Sequence, residues 1–235
     1  MKRIYALILV CFLITLSLLL INTSSDKITR TEAYYQVLSD IIENNVFPDG
    51  SSANVEYGNM SENKFAVCDV DEDGREELVV IFTTTAVAGM HARIYDYNEK
   101  SEGLLEQWQG SYTVKFFDNG YATTENHHNQ TNSSLWPFYI HGYNPETDSY
   151  ECIAWIHAMD RDLVDDKAYP HEIDISNQGT VYFIDEYGEQ TEFTGDKPLD
   201  ITQYRAWINR HIGEAKEIDV QYLPMTSENI NFLKK

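Results

Sequence analysis

Apolar residues run almost unbroken from Ile4 to Ile21, with only Tyr5, Thr15 and Ser17 polar in any degree, and Lys2 and Arg3 stand in front of them. That order is the positive n-region and apolar h-region of an export signal. The run of 18 residues exceeds the usual h-region of roughly 7–15 and approaches the roughly 20 needed to span a bilayer. A buried core helix would show a polar face, and none is present. Residues 1–25 are therefore expected to be a signal anchor or a signal peptide. No A-x-A site is present, which favours the anchor, held with Lys2 and Arg3 inside; the small residues Thr23-Ser24-Ser25 keep cleavage open. Cys11 lies too early in the apolar run to be a lipidation site. The expected location is the cell membrane, as a single pass, or outside the cell as a secreted chain.

The pattern changes after residue 26. Thr29 with Glu32 fits a capping box, and Tyr34, Val37, Leu38, Ile41 and Ile42 share one face at helical spacing, so residues 29–46 are expected to form a helix. Phe47-Pro48-Asp49-Gly50 stops it, and 51–60 is a polar loop. From Phe65 to Phe193 short apolar runs alternate with turn residues. Strands are expected at 65–68, 78–84, 91–97, 104–108, 112–117, 121–124, 136–143, 150–157, 180–185 and 190–193. Asp118-Asn119-Gly120 and Asn144-Pro145-Glu146-Thr147-Asp148 read as hairpin turns. Asp200 with Gln203 caps a second helix with Tyr204, Trp207, Ile208 and Ile212 as its apolar stripe, Gly213 ends it, and 218–223 can add a last strand. The expectation is an α+β fold. An antiparallel β-sheet meander carries an N-terminal and a C-terminal helix, behind a hydrophobic leader. Residues 26–235 form one extracytoplasmic domain.

Charge narrows the partners. Lys and Arg total 17 against 38 Asp and Glu, a formal net charge of −21. Binding nucleic acid or an anionic membrane surface needs clustered cations, so neither is expected; cations and basic partners suit the field better, and acidity that only keeps an exported chain soluble is an equal reading. The membrane contact expected is the segment 4–21 alone. Three cysteines, one of them in the leader, do not make a disulfide scaffold. Cys68 and Cys152 are compatible with one bridge or with two buried thiols.

The sharpest chemistry is Asp69-Val70-Asp71-Glu72-Asp73-Gly74-Arg75-Glu76-Glu77-Leu78. A solvated acidic turn is the plain alternative, since Asp and Gly are common in turns. The spacing argues for a cation. An EF-hand loop takes ligands from positions 1, 3, 5, 7 (through the carbonyl), 9 and 12, with Gly at 6. Counted from Asp69, the first three are Asp69, Asp71 and Asp73, the glycine is Gly74, then come Arg75 and Glu77, and the twelfth position is Val80. The flanks read as strands, so the loop is expected to be a strand–loop–strand calcium site closed by Glu77. Magnesium prefers to keep its waters, and zinc would want Cys or His.

The stretch Asp69–Leu78 resembles the D-x-D-x-D-G-x-x-(D/E)-L loop of FG-GAP and VCBS repeats, which form calcium-binding hairpins in β-propellers. Position by position the resemblance implies metal ligation by Asp69, Asp71, Asp73, the Arg75 carbonyl and Glu77. Glu72 stands where the repeats often have glycine. The match covers ten residues once, and a propeller needs several blades. More loosely, the order of leader, helix, Phe65-to-Asp71 run, β-rich body and closing helix, with the ending Leu223-Pro224-Met225-Thr226-Ser227-Glu228-Asn229-Ile230, resembles uncharacterised exported proteins of Gram-positive bacteria.

Catalytic constellations are absent from the sequence. There is no H-E-x-x-H, no G-x-S-x-G and no phosphate-cradling glycine loop. His127-His128 falls in a polar run and suits an exposed loop, as does Met159-Asp160-Arg161-Asp162. The 16 tyrosines and 4 tryptophans suit strands, or else line a sugar or peptide groove. The leading expectation is a calcium-binding surface module for protein or glycan interaction. The competing one is a carboxylate-dependent hydrolase of wall or glycan polymers with structural calcium, which would need two carboxylates about 5–10 Å apart in a pocket away from the loop.

Overall fold

The β-branched and aromatic runs become ten strands. In the computed structural model, which describes residues 28–98, 103–126, 132–188 and 191–234, they are β1 Lys64–Cys68, β2 Glu77–Phe82, β3 His91–Asn98, β4 Gly103–Gly110, β5 Lys115–Phe116, β6 Tyr121–Glu125, β7 Phe138–Asn144, β8 Ser149–Asp160, β9 Thr180–Glu186 and β10 Leu223–Pro224. The leader 1–25 and the pair His127-His128 lie outside the described residues. No described helix is long and apolar enough to cross a membrane.

The class expected is the class found, α+β with antiparallel pairing, but there are two sheets where one meander was expected. The first has the order β10-β1-β2-β3-β4 and the second β5-β6-β7-β8-β9. The break falls after β4. Tyr112 and Thr113 turn, so the expected strand 112–117 contributes only Lys115–Phe116 to the ladder. Hairpin rhythm is a local signal, whereas the partition into sheets depends on which faces find each other across the chain.

Those faces make three cores. One face of the first sheet (Phe65, Leu78, Val80, Phe82, Tyr95) lies under helix α1, Arg30–Ser39, packing on Tyr34 and Leu38. Its other face (Val79, Ile81, Ile94) meets Phe116, Ala122 and Tyr150 of the second sheet, with Val70 of the acidic loop among them. β2 is therefore buried at every residue, which explains why Leu78-Val79-Val80-Ile81-Phe82 reads as a continuous apolar run rather than an alternation. The outer face of the second sheet (Ile140, Ala154, Ile156, Ile184) receives helix α2, Ile201–His211, through Trp207.

The caps are where the residues placed them. Thr29 Oγ1 accepts from Glu32 N at 3.2 Å, and Asp200 and Gln203 form a complete capping box. The first helix is shorter than expected. Its α-turns end at Ser39, and Asp40–Asn44 widen into a π-turn that keeps Ile41 buried and closes at Asn45 with φ +53°, a conformation Asn tolerates. Of the expected strand 190–193 the described residues 191–193 form no strand, and the nearest pairing is the isolated bridge between Asp185 and Thr194. Of 218–223 only Leu223 enters a strand, where β10 extends the first sheet beside β1. A third helix, α3 at Ser227–Ile230, caps on Thr226 and was not expected. Cys68 and Cys152 are free thiols, both half-buried; burial raises them to about 12 and about 11.

Candidate metal centre

The acidic loop joins β1 to β2, as the strand–loop–strand reading requires, and Cys68 pairs with Glu77 at its base. The first two aspartates fold the loop through their own backbone. Asp69 Oδ1 accepts from Glu72 N at 2.8 Å and Oδ2 from Gly74 N at 3.0 Å. Asp71 Oδ1 accepts from Asp73 N at 3.1 Å. Tyr150 anchors the loop from the second sheet by donating to the Val70 carbonyl at 2.7 Å. Two residues adopt the left-handed region, Gly74 at φ +86° and Glu72 at φ +65°. Glu72 is the residue that stands where the repeats often have glycine. A side chain there costs about 1 kcal/mol, so Glu72→Gly is expected to raise stability by about that amount; a urea midpoint that falls would show that the Glu72 side chain carries a contact outweighing the strain.

The loop brings together one oxygen each from Asp69, Asp71 and Glu77 within 4.8 Å of one another. A second group, with the same spread, joins Asp71 and Asp73 to Asp148 from the β7–β8 turn. The two groups differ in how they are balanced. Around the second lie several donors. Gln107 Nε2 donates to Asp71 Oδ2 at 2.9 Å and to Asp148 Oδ1 at 2.8 Å, and the Tyr143 hydroxyl donates to Asp148 Oδ1 at 2.8 Å. The Arg75 guanidinium pairs with Asp73 and reaches Asp148 at 3.4 Å and Asp96 at 3.2 Å. Desolvation raises the Asp73 carboxyl, but the Arg75 hydrogen bonds outweigh it and hold the group below its ordinary value.

Among the described residues no Lys or Arg pairs with the first group. Asp71 and Glu77 are buried, Glu77 completely. Glu77 Oε2 accepts from Val70 N at 2.9 Å, while its Oε1 is buried with no hydrogen-bond partner among the described residues. Desolvation, reinforced by Asp71, Asp69 and Asp73, pushes the Glu77 carboxyl up to about 9. Desolvation likewise lifts Asp71 to about 6, against the hydrogen bond from Gln107. A buried carboxylate with one bare oxygen is costly. It can be relieved in two ways, by taking a proton or by sharing a cation.

Of the five residues expected to bind metal, Arg75 through its carbonyl, the structure groups Asp69, Asp71 and Glu77, places Asp73 with Asp71 and Asp148, and pairs the partly exposed Arg75 side chain with three carboxylates. Sequence reasoning missed Gln107, Asp148, Tyr143 and Asp96. They come from other strands and turns, and the only signal available was the hairpin turn at 144–148. Met159 and Asp160, expected in an exposed charged loop, instead end strand β8, where Asp160 accepts from Ser133, Ser134 and Thr180. Comparison with protein-family models, with curated proteins and with solved structures gave no match.

Proposed function

We propose that this chain is an extracytoplasmic module, membrane-anchored or secreted, that engages a protein or glycan and is stiffened by calcium at the 69–77 loop. The observation that carries the cation is fully buried Glu77, grouped with Asp69 and Asp71, whose Oε1 has no hydrogen-bond partner among the described residues. The donors are all hard oxygens, which suits calcium and gives zinc or copper no soft ligand. Asp69, Asp71 and Glu77 would hold the ion, with Asp73 and the Arg75 carbonyl as the further ligands implied by the resemblance to FG-GAP and VCBS loops. Its contribution is charge neutralisation of a buried cluster, which locks the hairpin against the second sheet. Export rests on the 4–21 run.

An extracellular module of this kind binds calcium with a Kd on the order of 0.1–1 mM. At 5 mM calcium the folded state then gains about 1–2 kcal/mol, which raises the melting midpoint by roughly 2–8 °C. Glu77→Gln is expected to abolish that rise while the protein still folds. A midpoint that calcium leaves unmoved removes the calcium reading.

The hydrolase alternative needs a carboxylate pair in a pocket away from the loop. The cleft between the two sheets is lined, among the described residues, by a single carboxylate, Glu125, and so does not itself supply that pair.

A further inference from the structure

The two sheets do not close on each other along their whole length. Beyond the packed zone a cleft of about 700 Å³ opens between the β2–β3 connection (Val87–Met90), the end of β4 and the inner faces of β6, β7 and β8. That size lies within the roughly 300–1,000 Å³ of small-ligand sites.

Its walls are aromatic. Trp108 comes from the first sheet and Tyr139 from the second, with Tyr112 on the turn between the sheets. Trp108 stands edge-on to His141, centroids 5.2 Å apart at 70°. Gly110 holds the indole in place by having no side chain, since a Cβ there would sit 2.1 Å from Trp108 Cζ2.

The polar groups are almost all uncharged. Gln109, Asn126, Ser111 and Thr124 offer amides and hydroxyls. His141 is buried, with Nε2 3.1 Å from Thr124 Oγ1 and Nδ1 without a hydrogen-bond partner among the described residues. His91 Nδ1 lies 2.7 Å from the Gly89 carbonyl, so it carries the proton, and its Nε2 is a buried acceptor without a partner. Burial keeps the His141 imidazole neutral by lowering it to about 4, and lowers His91 as well. Among the described residues no Lys or Arg lines the cleft and Glu125 is the one carboxylate that does, in a chain of net charge −21.

We propose that this intersheet cleft binds a neutral carbohydrate segment, stacked on Trp108 and Tyr139 and hydrogen-bonded by the surrounding amides and hydroxyls. Aromatic faces accept the apolar C–H face of a sugar ring while polar groups at the rim fix its hydroxyls. An anionic ligand meets the field of a chain of net charge −21. A purely apolar ligand leaves the amides and hydroxyls of Gln109, Ser111 and Thr124 along the wall without bonds to replace those of water. The inference rests on the module reading above and names its ligand class, but it uses none of the residues of the acidic loop.

The test is a titration of the full chain with neutral hexose and N-acetylhexosamine tetrasaccharides, set against uronate tetrasaccharides and an uncharged octapeptide, read by tryptophan fluorescence and by saturation-transfer NMR. A neutral tetrasaccharide is expected to saturate, at least tenfold tighter than any uronate. Tyr112→Ala removes a wall and Gly110→Ala displaces the indole, so each should weaken binding at least fivefold; melting curves confirm that the variants fold, and the second covers the case in which the first does not. Saturation by the peptide alone, no saturation by any neutral saccharide, or affinity unchanged in folded variants overturns the proposal. Repeating the titration with calcium and with chelator separates the two readings. Saccharide binding without a calcium-induced midpoint shift removes only the cation, and the reverse result removes only the cleft.

Discussion

With calcium withheld, the protein is expected to lose stability steadily as pH rises from 6.5 to 9, and to regain it when calcium is added. The sign follows from Glu77. Burial raises its folded-state carboxyl from 4.5 to about 9, so between those values the folded chain holds a proton that the unfolded chain has released. Stability is then full below 4.5 and is lost as pH climbs towards 9. Asp71, raised from 3.8 to about 6, adds the same sign over a lower window. His91, His141 and His157 act oppositely. They are lowered from 6.5 by burial, so they favour the folded state increasingly up to pH 6.5 and not beyond. Above 6.5 Glu77 dominates. One pH unit of displacement corresponds to about 1.4 kcal/mol, so the fall between 6.5 and 9 is on the order of 3 kcal/mol, a large share of a typical net stability of about 5–15 kcal/mol. Calcium replaces the proton. Binding at pH 7 should therefore release close to one proton per ion, measured as a calorimetric enthalpy that varies with the ionisation heat of the buffer. Urea midpoints across this range, for the natural chain and for Glu77→Gln, decide it. Parallel pH profiles would falsify the assignment to Glu77.

Asp96→Ala is expected to cost about 3–5 kcal/mol, the range for breaking a buried ion pair by removing one partner. Asp96 is completely buried and receives two guanidinium groups. Arg30 at the start of α1 pairs with its Oδ1, and Arg75 of the acidic loop lies 3.2 Å from its Oδ2. The backbone N–H of Tyr97 adds a 2.7 Å hydrogen bond to Oδ1. One carboxylate thus ties helix, loop and sheet together. The Tyr34 hydroxyl and Arg30 both donate to the Glu76 carbonyl, at 2.8 and 3.0 Å, so the loss should spread to α1. Hydrogen exchange is expected to show early opening of Arg30–Ser39 in the variant, with the second sheet unaffected. A cost under about 1 kcal/mol, the range of an exposed pair, would show that the junction is wet.

What was legible in the sequence follows from how local each signal is. Asp69, Asp71, Asp73, Gly74 and Glu77 are close enough in the chain to declare a tight acidic loop, and the apolar runs on either side declare its strands. Thr29 and Asp200 announce helix starts because capping is a contact between near neighbours. The second carboxylate group was not legible. Asp148 is brought to Asp71 only because Tyr150 and Tyr143 pack between the sheets, and Gln107 bridges them from β4. Asp96 looked like a polar residue in an ordinary strand, since nothing beside it in sequence says that two arginines arrive there. The cleft has the same character. The aromatic surplus suggested a groove, but Trp108 and His141 are 33 positions apart in the sequence, and only the partition into two sheets sets them face to face. The segments 112–117 and 218–223 carry strand-forming residues, yet only Lys115–Phe117 and Leu223 find partners, and residues 191–193 enter no ladder.

The first sheet takes its last strand, β10, from the far end of the chain, and Met225, Ile230 and Leu233 pack with Tyr34 and Leu38 of the first helix. Head and tail thus share one core, and neither can finish it alone. Contacts this distant in sequence form late and slowly, so helix Arg30–Ser39 is expected to settle only after the segment 223–234 has been made, and removing that segment should leave the helix without a place to dock.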